Sequence, residues 1–233
     1  MKYMGSKARH AKDILPIILA GRKAGQFYVE PFVGGANTID KVDGNRIGAD
    51  IHPHLIAMWR AVSDGWMPPQ EVSEDEYNEC NNRRRNEHGD PILGYVGFVA
   101  SYAGKWYGGF ARDSAGARDY AAEGFRSAQK QFPKLRGVRF ECADYRELDI
   151  PPNSIIYCDP PYRGTTGYAS GAFDHDYFWH WCGDMHAAGN SVFVSEYEAP
   201  EGWKCVWSKE VNNTLAKGTG SKKGIERLFT LYS

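Results

Sequence analysis

Ser154-Ile155-Ile156-Tyr157-Cys158-Asp159-Pro160-Pro161-Tyr162 is the stretch on which the architecture turns. Its first five residues are mostly apolar and read as a buried parallel strand. The run then meets a carboxylate, two prolines and an aromatic ring, which together make a rigid polar corner at the strand's carboxyl end. Prolines commonly close strands, so the corner could be only a turn. Open α/β sheets, however, bind their ligands at that end. A corner of this composition can grip an aromatic amine, with acceptors from the Asp159 carboxylate and the Pro160 carbonyl and a ring face from Tyr162.

Upstream, Gln26 to Val29 reads as a strand running into Glu30-Pro31-Phe32-Val33-Gly34-Gly35-Ala36-Asn37, a tight loop that opens a helix. Arg46 to Ala49 reads as a second strand ending on Asp50, with a helix from about His54 to Val62. The pattern is a βαβ unit of the nucleotide-binding kind, for which right-handed parallel connection is the rule. Ser6 is placed to cap a helix through Ala8 to about Ile14, limited or bent by Pro16.

From about Ser63 to Leu135 the pattern turns helical and polar, with helices expected at Asp75–Arg85, Pro91–Tyr102 and Tyr120–Gln131. Strands resume at Val138–Glu141 and Ser154–Cys158. Asp174 is placed to cap a helix over His175–Ala187, where Tyr177, Trp181 and Met185 form a stripe suited to core packing. Ser191–Val194 reads as a strand, and Cys205–Trp207 with Arg227–Tyr232 as a closing antiparallel pair.

The chain has 233 residues and 42% hydrophobic side chains, enough for one α/β domain with an insertion or for two small domains. No apolar run approaches a membrane span, the start lacks a signal-peptide stretch, and the five cysteines form no CxxC pair. Reduced thiols in a cytosolic protein are therefore expected. The seven histidines form no HxxxH or HExxH, so metal ligation is not expected.

Net charge is −1, but between Asn82 and Arg139 eleven Lys/Arg face five acids. A basic middle on a near-neutral protein suits a phosphate-facing module. Within it, Ser101 to Arg112 interleaves aromatics, glycines and cations. Trp106 and Tyr107 can stack on bases and Lys105 and Arg112 can reach phosphate, or the stretch can be an aromatic hinge. Arg84, within Arg83-Arg84-Arg85, and Lys222, in the glycine-rich loop from Lys217 to Gly224, are open to either phosphate contact or plain solvation.

The loop after the first strand needs small residues where backbone approaches a ligand, and Gly34 and Gly35 supply them. Phe32 can pack on that ligand, and Asp50 stands where an acid binds ribose hydroxyls. The loop is neither GxGxxG nor a Walker motif, so a nucleoside without a phosphate chain fits better than a dinucleotide.

Taken together, the chain resembles the Dam-type (D12 class) DNA N6-adenine methyltransferases over nearly its whole length. Lys2-Tyr3-Met4-Gly5-Ser6-Lys7 is similar to the family's amino-terminal cofactor motif, Glu30 to Ala36 to its methionine-side loop, and Asp159-Pro160-Pro161-Tyr162 to its catalytic tetrapeptide. Ala36 stands where the family usually has glycine. The resemblance implies a Rossmann-like class I methyltransferase sheet, mostly parallel with a C-terminal antiparallel strand, plus a helical insertion. It implies a catalytic domain over 1–62 and 136–233 and a target-recognition insert over 63–135. S-adenosylmethionine would be held by Tyr3, Lys7, Phe32, Gly34, Gly35, Asp50, Asp144 and Asp159, and Asp159, Pro160 and Tyr162 would act on the base. Double-stranded DNA is the implied partner, with no metal and no membrane, in a bacterial or phage-infected cell. Methyl transfer to RNA or to a protein amide nitrogen, a non-catalytic nucleic-acid-binding module and a nicotinamide oxidoreductase are the competing readings.

Overall fold

A computed structural model describes residues 1–86, 88–112, 119–163, 173–212 and 223–231. Among these residues seven strands form one sheet: β1 (Tyr28–Glu30), β2 (Arg46–Asp50), β3 (Arg139–Cys142), β4 (Ile155–Cys158), β5 (Ser191–Glu196), β6 (Lys204–Asn212) and β7 (Lys223–Thr230). Their spatial order is β3-β2-β1-β4-β5-β7-β6. The first five in that order are parallel, and β7 runs antiparallel to both β5 and β6. This is a Rossmann-like class I methyltransferase sheet. The strand order reverses direction between β1 and β4, and a crevice opens at such a switch point. Register brings Tyr28 opposite both Arg46 and Ile155. The loops after Glu30, Asp50 and Cys158 therefore leave the sheet side by side.

β4 shows why this strand is central. All four of its residues are buried, as a parallel strand covered on both faces requires. With a side-chain period of two, Ile155 and Tyr157 enter one core, with Tyr28, Trp59 and Phe140, while Ile156 and Cys158 enter the other, with Val29, Phe178 and Val194.

Among the described residues six α-helices cover the faces: α1 (Ala11–Ile18), α2 (Pro53–Ser63), α3 (Glu74–Arg83), α4 (Pro91–Val99), α5 (Tyr120–Gln131) and α6 (His175–Ala187). Helices α3 to α5 follow α2 in sequence and join the same core as the sheet. Crossing is tight there: a methyl on Gly94 would lie 2.1 Å from the His54 carbonyl oxygen. No described helix is long and apolar enough to cross a membrane.

Three expectations are corrected. The loop after β1 opens no α-helix, only a single 3-10 turn at Ile39–Lys41. Gly34 and Ala36 adopt left-handed φ of 43° and 52°, which turns the chain away from helical entry. Trp59 of α2 fills the space instead, fully buried, donating its indole N–H to the Gly34 carbonyl at 2.8 Å. Near the amino terminus, Ser6 caps a 3-10 turn at Lys7–Arg9, and α1 then runs through Pro16 to Ile18. Burial of Ile14, Leu15 and Ile18 outweighs the donor that Pro16 lacks. On α6, Trp181 is buried, but Tyr177 is 51% exposed. The face that meets the sheet is centred on Phe178 and Cys182, one residue off the expected stripe.

Candidate active site

Asp159 lies at the carboxyl end of β4, and a cation from the far amino end of the chain pairs with it. The Lys7 ammonium sits 3.1 Å from Asp159 Oδ1 and 3.4 Å from Glu226 Oε2. It also lies 4.4 Å from the centre of the Tyr162 ring. The Tyr162 hydroxyl donates to Glu226 Oε2 at 2.7 Å. Lys7 and Tyr162 are both buried. The amino-terminal motif and the tetrapeptide thus meet in one cluster, closed on its third side by β7.

Burial alone would lower the Lys7 pKa, but Asp159 and Glu226 outweigh it and hold the ammonium above its ordinary value. At Asp159 burial pushes the carboxyl up, Lys7 pulls it back, and Glu226 adds to the rise. Two acids without a sequence signal of their own complete the pocket. Glu226 lies on the inward face of β7, two residues from fully buried Leu228. Glu196, at the end of β5, accepts from the backbone N–H of Arg163 at 3.2 Å and of Tyr197 at 2.7 Å. Burial raises the Glu196 carboxyl to about 7. Sequence reasoning passed over both. Glu226 stands beside Arg227 on a strand that also carries Lys223, so no apolar run there marks it out.

The cofactor half lies at the neighbouring strand ends. Tyr3 packs on Gly34 and Gly35: a methyl on Gly34 would fall 2.8 Å from the Tyr3 ring, and one on Gly35 would fall 2.6 Å from Tyr3 Cβ. Asp50, ending β2, accepts from the Gly34 N–H at 3.2 Å through one oxygen and from the His52 N–H at 3.0 Å through the other. Burial raises its carboxyl to about 6, against those backbone donors. Phe32 turns to the opposite core, with ring centroids 5.3 Å from Tyr145 and 5.6 Å from Phe178. Asp144 is engaged by its own turn: Arg146 donates to both its oxygens, at 2.7 and 2.8 Å, and holds the carboxyl below its usual range.

The residues singled out for DNA fall into different settings. Trp106 and Tyr107 are half-buried and packed, Trp106 lying between His52, Phe98 and Tyr107 with centroids 4.3, 4.9 and 4.6 Å away. Lys105 is exposed, as is Tyr102 beside it. Arg84 folds back onto Asn81 at the end of α3, and Arg112 pairs with Glu74. Lys222 lies outside the described residues. Among the described residues no three His, Cys, Asp or Glu side chains group to hold a metal.

A doubly wound sheet whose switch point carries an acid–proline corner beside a glycine loop defines a Rossmann-like methyltransferase. Comparison with known proteins narrows the class. Residues 3–90 match the family described as D12 class N6 adenine-specific DNA methyltransferase. Two curated relatives, both named DNA adenine methylase, come from Vibrio cholerae serotype O1, strains Classical Ogawa 395 and El Tor Inaba N16961. Each is 24% identical over 277 aligned positions, covering 100% of this chain and 95% of the relative. A crystal structure of SMU.472 complexed with SAH aligns over 99% of this chain and 54% of its own at a TM-score of 0.39 and 12% identity. By these matches the chain is similar to DNA adenine methyltransferases of the D12 class.

Proposed function

We propose that the chain transfers a methyl group from S-adenosylmethionine to the exocyclic amine of an adenine flipped out of double-stranded DNA, by direct attack of that amine. The observation that carries this is the junction of two strand ends. The half-buried Asp159 carboxylate at the end of β4 is paired with Lys7, four residues from the Tyr3 that packs on the Gly34–Gly35 loop after β1. Acceptor and cofactor loop thereby share one wall.

The residues fit such a cofactor. Glycines where a methyl group would strike Tyr3 allow the backbone to approach closely. Asp50 spends one lone pair of each oxygen on a backbone N–H, and a carboxylate keeps further lone pairs for ribose hydroxyls. When bound, S-adenosylmethionine supplies an activated methyl on a sulfonium. The chain's own part is orientation and charge. The amine of adenine is a poor nucleophile because its lone pair is delocalised into the ring. Hydrogen bonds to the Asp159 carboxylate and the Pro160 carbonyl favour a pyramidal nitrogen and stabilise positive charge as it develops there. Tyr162 offers its ring to the base, and the pocket holds the reacting atoms in line. A target amine inside a duplex is out of reach, which is why flipping is part of the proposal.

Residues 63–135 are proposed as the target-recognition part, with Tyr3, Lys7, Phe32, Gly34, Gly35, Asp50 and Asp144 on the cofactor side. Lys105 and Arg112, with Arg84, are proposed for the DNA backbone, and Trp106 and Tyr107 for shaping the surface that meets the bases. Incubation with methyl-labelled cofactor and unmethylated duplex tests the reading. Label on N6 of adenine is expected, with loss of labelling in Asp159→Ala. Label on cytosine, or on RNA in preference to DNA, would overturn it.

A further inference from the structure

Lys7 stands between two acids, and only one of them belongs to the tetrapeptide. We propose that Glu226 of β7 is a positioning residue of the methyl-transfer pocket, which shares the Lys7 ammonium with Asp159 and anchors the Tyr162 hydroxyl so that Asp159 stays available to the incoming amine. The inference rests on the proposed role of Asp159.

The geometry carries it. The two lysine contacts are close to equal, 3.1 Å to Asp159 and 3.4 Å to Glu226. Glu226 Oε2 also accepts the Tyr162 hydroxyl at 2.7 Å. One oxygen therefore fixes both neighbours of Asp159. The sheet supplies the rigidity: Glu226 pairs with Lys209 in an eight-residue antiparallel ladder, and strand-borne groups hold position better than loop-borne ones.

Charge bookkeeping gives the anchor its purpose. Lys7 alone would neutralise Asp159 and occupy an acceptor oxygen, so the amine would compete with a full ion pair. With Glu226 present, the three groups sum to −1, and Asp159 keeps its strength as an acceptor. Other titratable groups near Asp159 are Glu30 from β1, Glu196 from β5, and Tyr157 and Tyr162 from β4 and the loop after it. His10 faces Glu226 from the turn before α1, and burial lowers its pKa, so it stays neutral near pH 7.

Two measurements test the assignment. In cofactor-free protein carrying carbonyl-labelled aspartate, the Asp159 carboxyl is followed by NMR through a pH titration, its signal identified by its disappearance in Asp159→Asn. Glu226→Gln keeps an acceptor for the Tyr162 hydroxyl and removes only the charge, and it should move the Asp159 titration roughly one pH unit lower. In steady-state assays the same variant should lose kcat by on the order of tenfold, with the KM for duplex changed by less than about threefold. Glu226→Asp should recover part of the loss. An unmoved Asp159 titration overturns the assignment whatever happens to kcat, and so does a kcat loss no larger than the loss of folded protein. The titration needs no substrate, so failure of the adenine reading and failure of this inference are separate results.

Discussion

The indole of Trp106 meets the imidazole of His52 edge-on at 4.3 Å between centroids. His52 in turn gives its backbone N–H to Asp50. The aromatic loop of the helical segment thus leans on the residue that braces the proposed ribose acid. Trp106→Ala removes this contact and those with Phe98 and Tyr107, and should cost about 2–3 kcal/mol of stability. It should also weaken S-adenosylhomocysteine binding severalfold. Chemical denaturation and calorimetry check the two effects, and Trp106→Phe should restore most of both.

Gly34→Ala meets two obstacles at once. The added carbon would lie 2.8 Å from the Tyr3 ring, at a φ of +43°. Strain of about 1–2 kcal/mol is expected from the backbone alone. Displacement of Tyr3 should lower cofactor affinity at least about tenfold. Calorimetric titration with S-adenosylhomocysteine reads the affinity, and the double variant Tyr3→Ala with Gly34→Ala should bind no worse than Tyr3→Ala alone.

Asp159→Asn keeps shape and removes charge. Lys7 retains Glu226 as a partner at 3.4 Å, so the fold should survive. Loss of the charged acceptor should reduce kcat by at least about 100-fold, with cofactor affinity changed by less than about tenfold. Single-turnover kinetics beside calorimetry separates the two.

Asp50 gives a pH signature. Its folded-state pKa is raised from 3.8 to about 6. Between those values the folded protein binds the proton that the unfolded chain has released. The contribution of this group to stability is therefore greatest below pH 4, declines as pH rises towards 6, and is absent above that. Ligand binding should run the other way, because ribose hydroxyls need the ionised acceptor. Cofactor affinity should rise through pH 6, while Asp50→Asn should flatten that dependence and bind weakly throughout.

Local signals were readable where a few neighbouring residues decide the outcome. The short apolar run around Ile156 placed β4, and Asp174 caps α6 as expected, accepting from the Tyr177 N–H at 2.9 Å. The tetrapeptide and the glycine loop could be found because each is contiguous. What escaped was decided across the fold. The absent helix after β1 depends on Trp59, twenty-five residues beyond Gly34, filling its place. Glu226 becomes visible only when β7 is set beside β5, because its partners are Lys7 and Tyr162. The packing of Trp106 follows from α2 and α4 crossing, which no local pattern announces. Ala36 is the instructive case. Its φ of 52° explains why glycine is the usual residue there, and its full burial gives the methyl group a compensating role in the core.

Gln131, the last residue of α5, is buried and donates from its amide to the carbonyls of Gly35 and Ala36, at 3.0 and 2.8 Å. The helical segment therefore ends by clamping the loop on which the proposed cofactor seat depends. The segment proposed for target recognition is therefore no free-standing cassette: a chimera that exchanges it must carry a glutamine to the same point, or the graft will disarm the host scaffold.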